Sequence, residues 1–167
     1  MSGSSGGPAI FGVTGWKNAG KTTLTERLVA EFVRRGWRVA TVKHAHHAAD
    51  IDKPGTDSFR HRAAGATEVA LVTGQRYAIM REQAEPSLAD VLARLAPADL
   101  VLVEGFKNAS HPKIEVRAGN EQPMDVAAFN IVAIAGVARG PDTLPWFSRD
   151  DVDAIADFIA SRVGPQT

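Results

Sequence analysis

Apolar residues fall into two rhythms along this chain. Ala9-Ile10-Phe11-Gly12-Val13-Thr14, Leu100-Val101-Leu102-Val103 and Ile131 to Val137 are near-continuous apolar runs of strand length, as expected of strands covered on both faces. Trp37 to Lys43 and Lys113 to Arg117 read as further strands, the second by its alternation. Between them, Thr23 to Arg35 sets Leu24, Leu28, Val29 and Phe32 at helical spacing, and Gly36 supplies a stop. A last helix starting near Ser148 carries Val152, Ile155, Phe158, Ile159 and Val163 along one face. Shorter helices are expected over Ser58 to Ala64, ended by Gly65, and from Ser87 to Leu95, where Ser87 and Asp90 have the spacing of a capping box. Glu68 to Thr73 and Arg76 to Arg81 flank Gly74-Gln75 as a hairpin would. Strands alternating with helices predict an α/β fold with a mainly parallel sheet, and the hairpin adds an antiparallel part.

The first apolar run leads into Gly15-Trp16-Lys17-Asn18-Ala19-Gly20-Lys21-Thr22-Thr23. Two glycines four residues apart, then lysine and a hydroxyl, make a phosphate-binding loop. The glycines let the backbone turn and aim several N–H groups at phosphate oxygens. Lys21 adds a mobile cation for the outer phosphates, and the Thr22 hydroxyl is a ligand for Mg²⁺. The helix that follows points its positive end at the same anion. Gly15, Asn18, Ala19, Gly20, Lys21, Thr22 and Thr23 are therefore the expected phosphate-binding residues. The fold class expected with them is the three-layer α/β sandwich of the P-loop nucleotide-binding proteins.

A second constellation follows from topology. The strand Leu100 to Val103 delivers Glu104 at its carboxyl end, the ligand-binding edge of an open α/β sheet. An acidic residue there is what a Mg²⁺–nucleotide site needs beside the loop threonine, which makes Thr22 and Glu104 the candidate metal residues. Aspartate is usual at that point, so glutamate is a variant. The strand ending at Lys43 opens into His44-Ala45-His46-His47-Ala48-Ala49-Asp50-Ile51-Asp52-Lys53, with three of the chain's five histidines inside four positions. Histidine beside carboxylate suits a transition metal, anion orientation or proton movement, and it also suits an ordinary polar loop. Lys43, His44, His46, His47, Asp50, Asp52, Asp57, Arg60 and Lys107 form the candidate cofactor- or partner-facing group. Lys113, like Lys107, reads equally as an anion contact or a surface charge.

Composition narrows the field. The 167 residues suit one domain, with residues 1–8 a Ser/Gly-rich flexible tail and 9–167 the nucleotide-binding domain. A net charge of zero gives no reason to expect a nucleic-acid or membrane surface. The absence of cysteine excludes disulfides and thiolate metal sites, which suits a cytoplasmic protein.

Taken together, the segments resemble the family of molybdopterin-guanine dinucleotide biosynthesis adaptors, MobB. The resemblance is carried by Gly15 to Leu24, by Val42 to His47 with Asp50 to Ser58, by Arg60 to Ala66, by Asp99 to Lys107 and by Pro112 to Val116. It covers most of residues 9 to 160. It implies a GTP-binding homodimer with weak GTP hydrolysis; the expectation of Mg²⁺ rests on Thr22 and Glu104. Such a protein acts as an accessory to the molybdopterin guanylyltransferase, helping it convert molybdopterin to the guanine dinucleotide. No Asn/Thr-Lys-x-Asp motif is present, so guanine preference rests on the resemblance and its residues stay open. A small-molecule kinase and a metal-delivery GTPase of the P-loop class are the alternatives; the kinase lacks a clear arginine-bearing lid segment.

Overall fold

The computed structural model describes residues 7–45, 51–119, 121–137, 139 and 143–164. The tail expected at residues 1–8 lies outside them except for its last two positions. In chain order the elements are β1 (Ala9–Thr14), α1 (Lys21–Arg34), β2 (Val39–Lys43), α2 (Asp57–Ala63), β3 (Glu68–Val72), β4 (Tyr77–Arg81), α3 (Leu88–Leu92), β5 (Leu100–Glu104), β6 (Lys113–Arg117), β7 (Ile131–Gly136), β8 (Trp146–Ser148) and α4 (Val152–Val163). They form two compact units, residues 1–44 with 91–167, and residues 45–90.

The first unit is built on a six-stranded sheet in the order β2-β5-β1-β6-β7-β8, parallel at every pairing. This is the parallel α/β sheet read from the apolar runs. Odd positions of β1 and even positions of β5 and β6 face α1 and α4. Phe11, Val13, Leu100, Leu102, Ile114 and Val116 meet Leu24, Leu28, Phe32, Ile155 and Ile159 there, all essentially excluded from solvent. Each such side chain contributes about 1.5–3 kcal/mol on burial, which explains why strongly amphipathic helices dock on this face.

The other face carries charge. Lys113 and Glu115 of β6 are both 0% exposed. A buried charge must be fully hydrogen-bonded, and each of these is engaged. The Lys113 ammonium donates to the carbonyls of Ala109, His111 (2.8 Å) and Phe129 (3.0 Å). Glu115 accepts from the Met124 N–H (3.0 Å) and the Arg117 guanidinium (2.7 Å). These bonds tie the loop before β6 and the segment after it onto the sheet's second face.

Two elements differ from the sequence expectation. The last helix begins at Val152 rather than near Ser148, because Trp146–Ser148 pairs with β7 as an edge strand. Asp151 then caps the helix, accepting from the Ala154 N–H at 3.3 Å. Three residues are too few to show alternation, so this strand was invisible in the pattern. The helix expected from Ser87 to Leu95 is the shorter α3, although its capping box forms: Asp90 accepts from the Ser87 N–H, and Ser87 Oγ from the Asp90 N–H.

The second unit holds α2 and the β3–β4 hairpin. Thr56 caps α2, accepting from the Phe59 N–H at 3.4 Å, and Gly65 follows it at φ 102°. The hairpin pairs Glu68 with Arg81, Ala70 with Ile79 and Val72 with Tyr77 along one face. Val69 and Met80, on the other face, are buried, whereas Val72, Tyr77 and Ile79 are exposed.

Candidate functional site

The site lies at the carboxyl ends of β1, β2 and β5, the edge where the strand order reverses around β1. Register fixes the meeting. Glu104 pairs with Val13 on one side and Lys43 on the other, so all three chain segments leave the sheet at one level.

From β1 the backbone enters the phosphate loop at Gly15, whose φ is 143°. A Cβ there would come within 2.5 Å of the Val116 carbonyl, so neither conformation nor space admits a side chain. Asn18 turns through the left-handed region at φ 63°, and Gly20 at φ 100° hands over to α1. No side chain caps that helix. The N–H groups of its first turn, Lys21 to Thr23, are thereby left to a ligand, with the helix dipole behind them. Lys21 Nζ donates to the Trp16 carbonyl at 2.6 Å, which holds the ammonium over the loop. Its pKa is lowered, chiefly by burial; Glu104 opposes the shift and Lys43 adds to it. Ala19 is buried, and its carbonyl accepts from Arg149 Nη1 at 3.1 Å. Trp16 Nε1 donates to the Gln122 carbonyl at 2.6 Å, tying the loop to the segment after β6.

Thr22 and Glu104 do come together. Thr22 Oγ1 donates to Glu104 at 2.9 Å (Oε1) and 3.2 Å (Oε2). Lys43 Nζ stands 3.4 Å from both Thr22 Oγ1 and Glu104 Oε1. A hydroxyl and a carboxylate joined at the mouth of a phosphate loop form an all-oxygen donor set, which suits a hard cation that keeps waters and takes phosphate oxygens. The Lys43 ammonium beside them marks the same place as favourable to positive charge. These residues therefore fit Mg²⁺.

His44 follows directly. Its N–H donates to the Glu104 carbonyl at 2.8 Å, and its ring stacks on Phe106 with centroids 4.5 Å apart. Gly105, at φ 92°, is needed beneath it, because a Cβ would lie 2.8 Å from His44 Cβ. His46, His47 and Asp50 lie outside the described residues. Lys107 Nζ sits 5.9 Å over the Phe129 ring. Lys113 is corrected: it is neither an anion contact nor a surface charge but a buried ammonium bound to three carbonyls.

The remaining candidates belong to the second unit. Asp52 is buried, accepting from Ser58 Oγ at 2.9 Å and Thr56 Oγ1 at 3.3 Å, so it organises the start of α2. Asp57 and Arg60 are exposed on that helix, 3.8 Å apart. Pattern reading passed over Arg27, Arg149 and Asp150 altogether. The last two follow the short strand β8, and recognising that strand was the only signal that could have drawn attention to them.

The sequence profile of the molybdopterin guanine dinucleotide synthesis protein B family, MobB, matches residues 10–137. The chain belongs to this family. It is 45% identical over 154 residues to a molybdopterin-guanine dinucleotide biosynthesis adapter protein of Haemophilus influenzae, covering 90% of this chain and 86% of that one. It is 34% identical over 165 residues to the adapter protein of Escherichia coli, covering 94% of each. The crystal structure of Bacillus subtilis MobB superposes with a TM-score of 0.75 at 27% identity, covering 95% of this chain and 99% of that one. Among the described residues, no helix is long and apolar enough to cross a membrane.

Proposed function

We propose that this MobB-family protein binds GTP with Mg²⁺ on the Gly15–Thr23 loop and serves as an adapter in molybdenum-cofactor biosynthesis. It acts beside the molybdopterin guanylyltransferase during conversion of molybdopterin to molybdopterin guanine dinucleotide, in the cytoplasm and as a homodimer. The observation that carries this reading is the Thr22–Glu104 pair at the mouth of a phosphate loop, with Lys21 above it. Loop N–H groups and the Lys21 ammonium bind and orient the outer phosphates. Thr22 and Glu104 would hold Mg²⁺, which when bound would neutralise phosphate charge. Lys43, 61% exposed and 3.4 Å from Glu104, would add positive charge beside the outer phosphates.

Hydrolysis by the isolated protein is slow in this reading. Both Glu104 oxygens are engaged by the Thr22 hydroxyl, at 2.9 and 3.2 Å. Fast GTPases owe a factor of ~10³–10⁵ to an arginine finger. The names of the relatives support the adapter role: those from H. influenzae and E. coli are molybdopterin-guanine dinucleotide biosynthesis adapter proteins.

The test is a reconstituted reaction of guanylyltransferase, molybdopterin and GTP with and without this protein, alongside calorimetric titration with GTP and Mg²⁺. Dinucleotide yield should rise with the protein present. Equal yields, or no heat of GTP binding, would count against the proposal. Replacing His46, His47 and Asp50 by alanine in the same assay separates a partner-facing wall from a plain loop.

A further inference from the structure

On the flank of α1 opposite Glu104 lies a cavity of about 250 Å³, lined by Gly20, Thr23, Leu24 and Arg27 and by Arg149 and Asp150. Arg149 and Asp150 directly follow β8, whose carboxyl end lies on the same sheet edge as that of β1 because the strands are parallel. Strand order gives the edge a direction. Glu104 and Lys43, the metal side, end β5 and β2 on one side of β1; the cavity's outer wall ends β8, on the other side. A nucleotide on the loop with its outer phosphates toward Thr22 and Glu104 would then have the cavity beside Thr23 and β8 open to its sugar and base.

The wall is a built one. Arg149 donates to the Ala19 carbonyl, and a Cβ on Gly20 would lie 3.2 Å from its Nη1, so the guanidinium is seated against the loop itself. Asp150 Oδ1 accepts from Arg27 Nη1 at 2.8 Å. Both partners are largely exposed, and an exposed ion pair is weak enough to yield to a ligand.

We propose that this cavity receives the base and ribose of the bound nucleotide and that Asp150 is the residue that selects guanine; this rests on the GTP-binding reading above. Guanine offers two adjacent donors, its N1–H and 2-amino group, to the two oxygens of a carboxylate, whereas adenine offers an acceptor at N1. Arg149 supplies a planar cation against which a purine can stack. The missing Asn/Thr-Lys-x-Asp motif then finds its substitute in a carboxylate from the β8 turn.

The experiment is calorimetry on the full chain and on Asp150→Asn, with Mg²⁺ and GTP, ATP, xanthosine triphosphate or inorganic tripolyphosphate. An amide presents a donor where xanthine presents a carbonyl in place of the 2-amino group. Asp150→Asn should lose GTP affinity at least ~10-fold, as for a charged hydrogen bond, and gain affinity for xanthosine triphosphate. Tripolyphosphate binding should be unchanged. If the variant binds GTP within twofold of the parent and gains nothing for the xanthine nucleotide, the base assignment is overturned while the phosphate site stands. If the parent binds none of the four, both readings fall.

Discussion

Thr22 Oγ1 donates to the Glu104 carboxylate at 2.9 Å, across 82 residues of sequence. That bond joins the phosphate loop to the strand beside it, at the place where the proposed function puts a divalent cation. The carboxylate is 11% exposed, so its charge is poorly screened and is compensated by Lys43 and Lys21 nearby.

Glu104→Gln keeps the shape and the acceptor for Thr22 but removes the charge. Triphosphate binding measured with Mg²⁺ should weaken at least ~10-fold, whereas binding measured in chelator should change little or tighten. Titration calorimetry in the two buffers reads the difference. Equal losses in both would mean that Glu104 supports the loop rather than the metal.

Lys21→Ala removes the ammonium held by the Trp16 carbonyl above the loop. The expected loss is that of a charged hydrogen bond, about 1.5–3 kcal/mol, or at least ~10-fold in triphosphate affinity. The thermal midpoint of the free protein should hardly move, since the side chain packs no core. Unchanged affinity in a folded variant would remove the loop from the binding site.

Much of this was legible in the sequence because a parallel sheet buries its strands on both faces. Apolar runs therefore gave β1, β5 and β7, and helical periodicity gave α1. The glycine–lysine–threonine spacing and the Glu104 strand end singled out Thr22 and Glu104, which the fold does bring together at one sheet edge, since both depend on local chain geometry. Pairing was less visible: nothing in the pattern states that β8 exists, and so Arg149 and Asp150 were missed. Burial of charge was also illegible. Lys113 and Glu115 alternate with apolar residues as solvent-facing positions would, yet both are sealed by loops whose carbonyls and N–H groups only the folded chain brings near.

His111 predicts a pH dependence. Its ring is buried against Gly12 and beside Lys113, and neither ring nitrogen has a hydrogen-bond partner. Burial, with the Lys113 charge adding to it, lowers its pKa to about 4. The unfolded chain, near the ordinary value, binds the proton more readily between pH 6.5 and 4. Stability from this group is therefore complete above the unfolded value and is lost as pH falls toward 4, by at most about 3 kcal/mol. His111→Phe should flatten that part of the urea-denaturation profile. A profile as steep in the variant would assign the loss to other groups.

The hairpin predicts how copies associate. Val72 and Tyr77 are each 72% exposed and Ile79 is 57% exposed, and all three project from one face of a two-stranded sheet. Such a face is costly to leave wet, and a second copy of the same face would cover it by a two-fold operation. Ile79→Lys puts a charge where two such faces would meet. Because Ile79 is already exposed, the hairpin's own pairing and its Glu68–Arg81 bond at 2.6 Å should survive. Sedimentation at micromolar concentration should show a dimer for the parent and at least ~10-fold weaker association for the variant, with GTP affinity unchanged. A parent that sediments only as monomer, with and without GTP, would refute the dimer. A variant that dimerises like the parent would move the interface elsewhere.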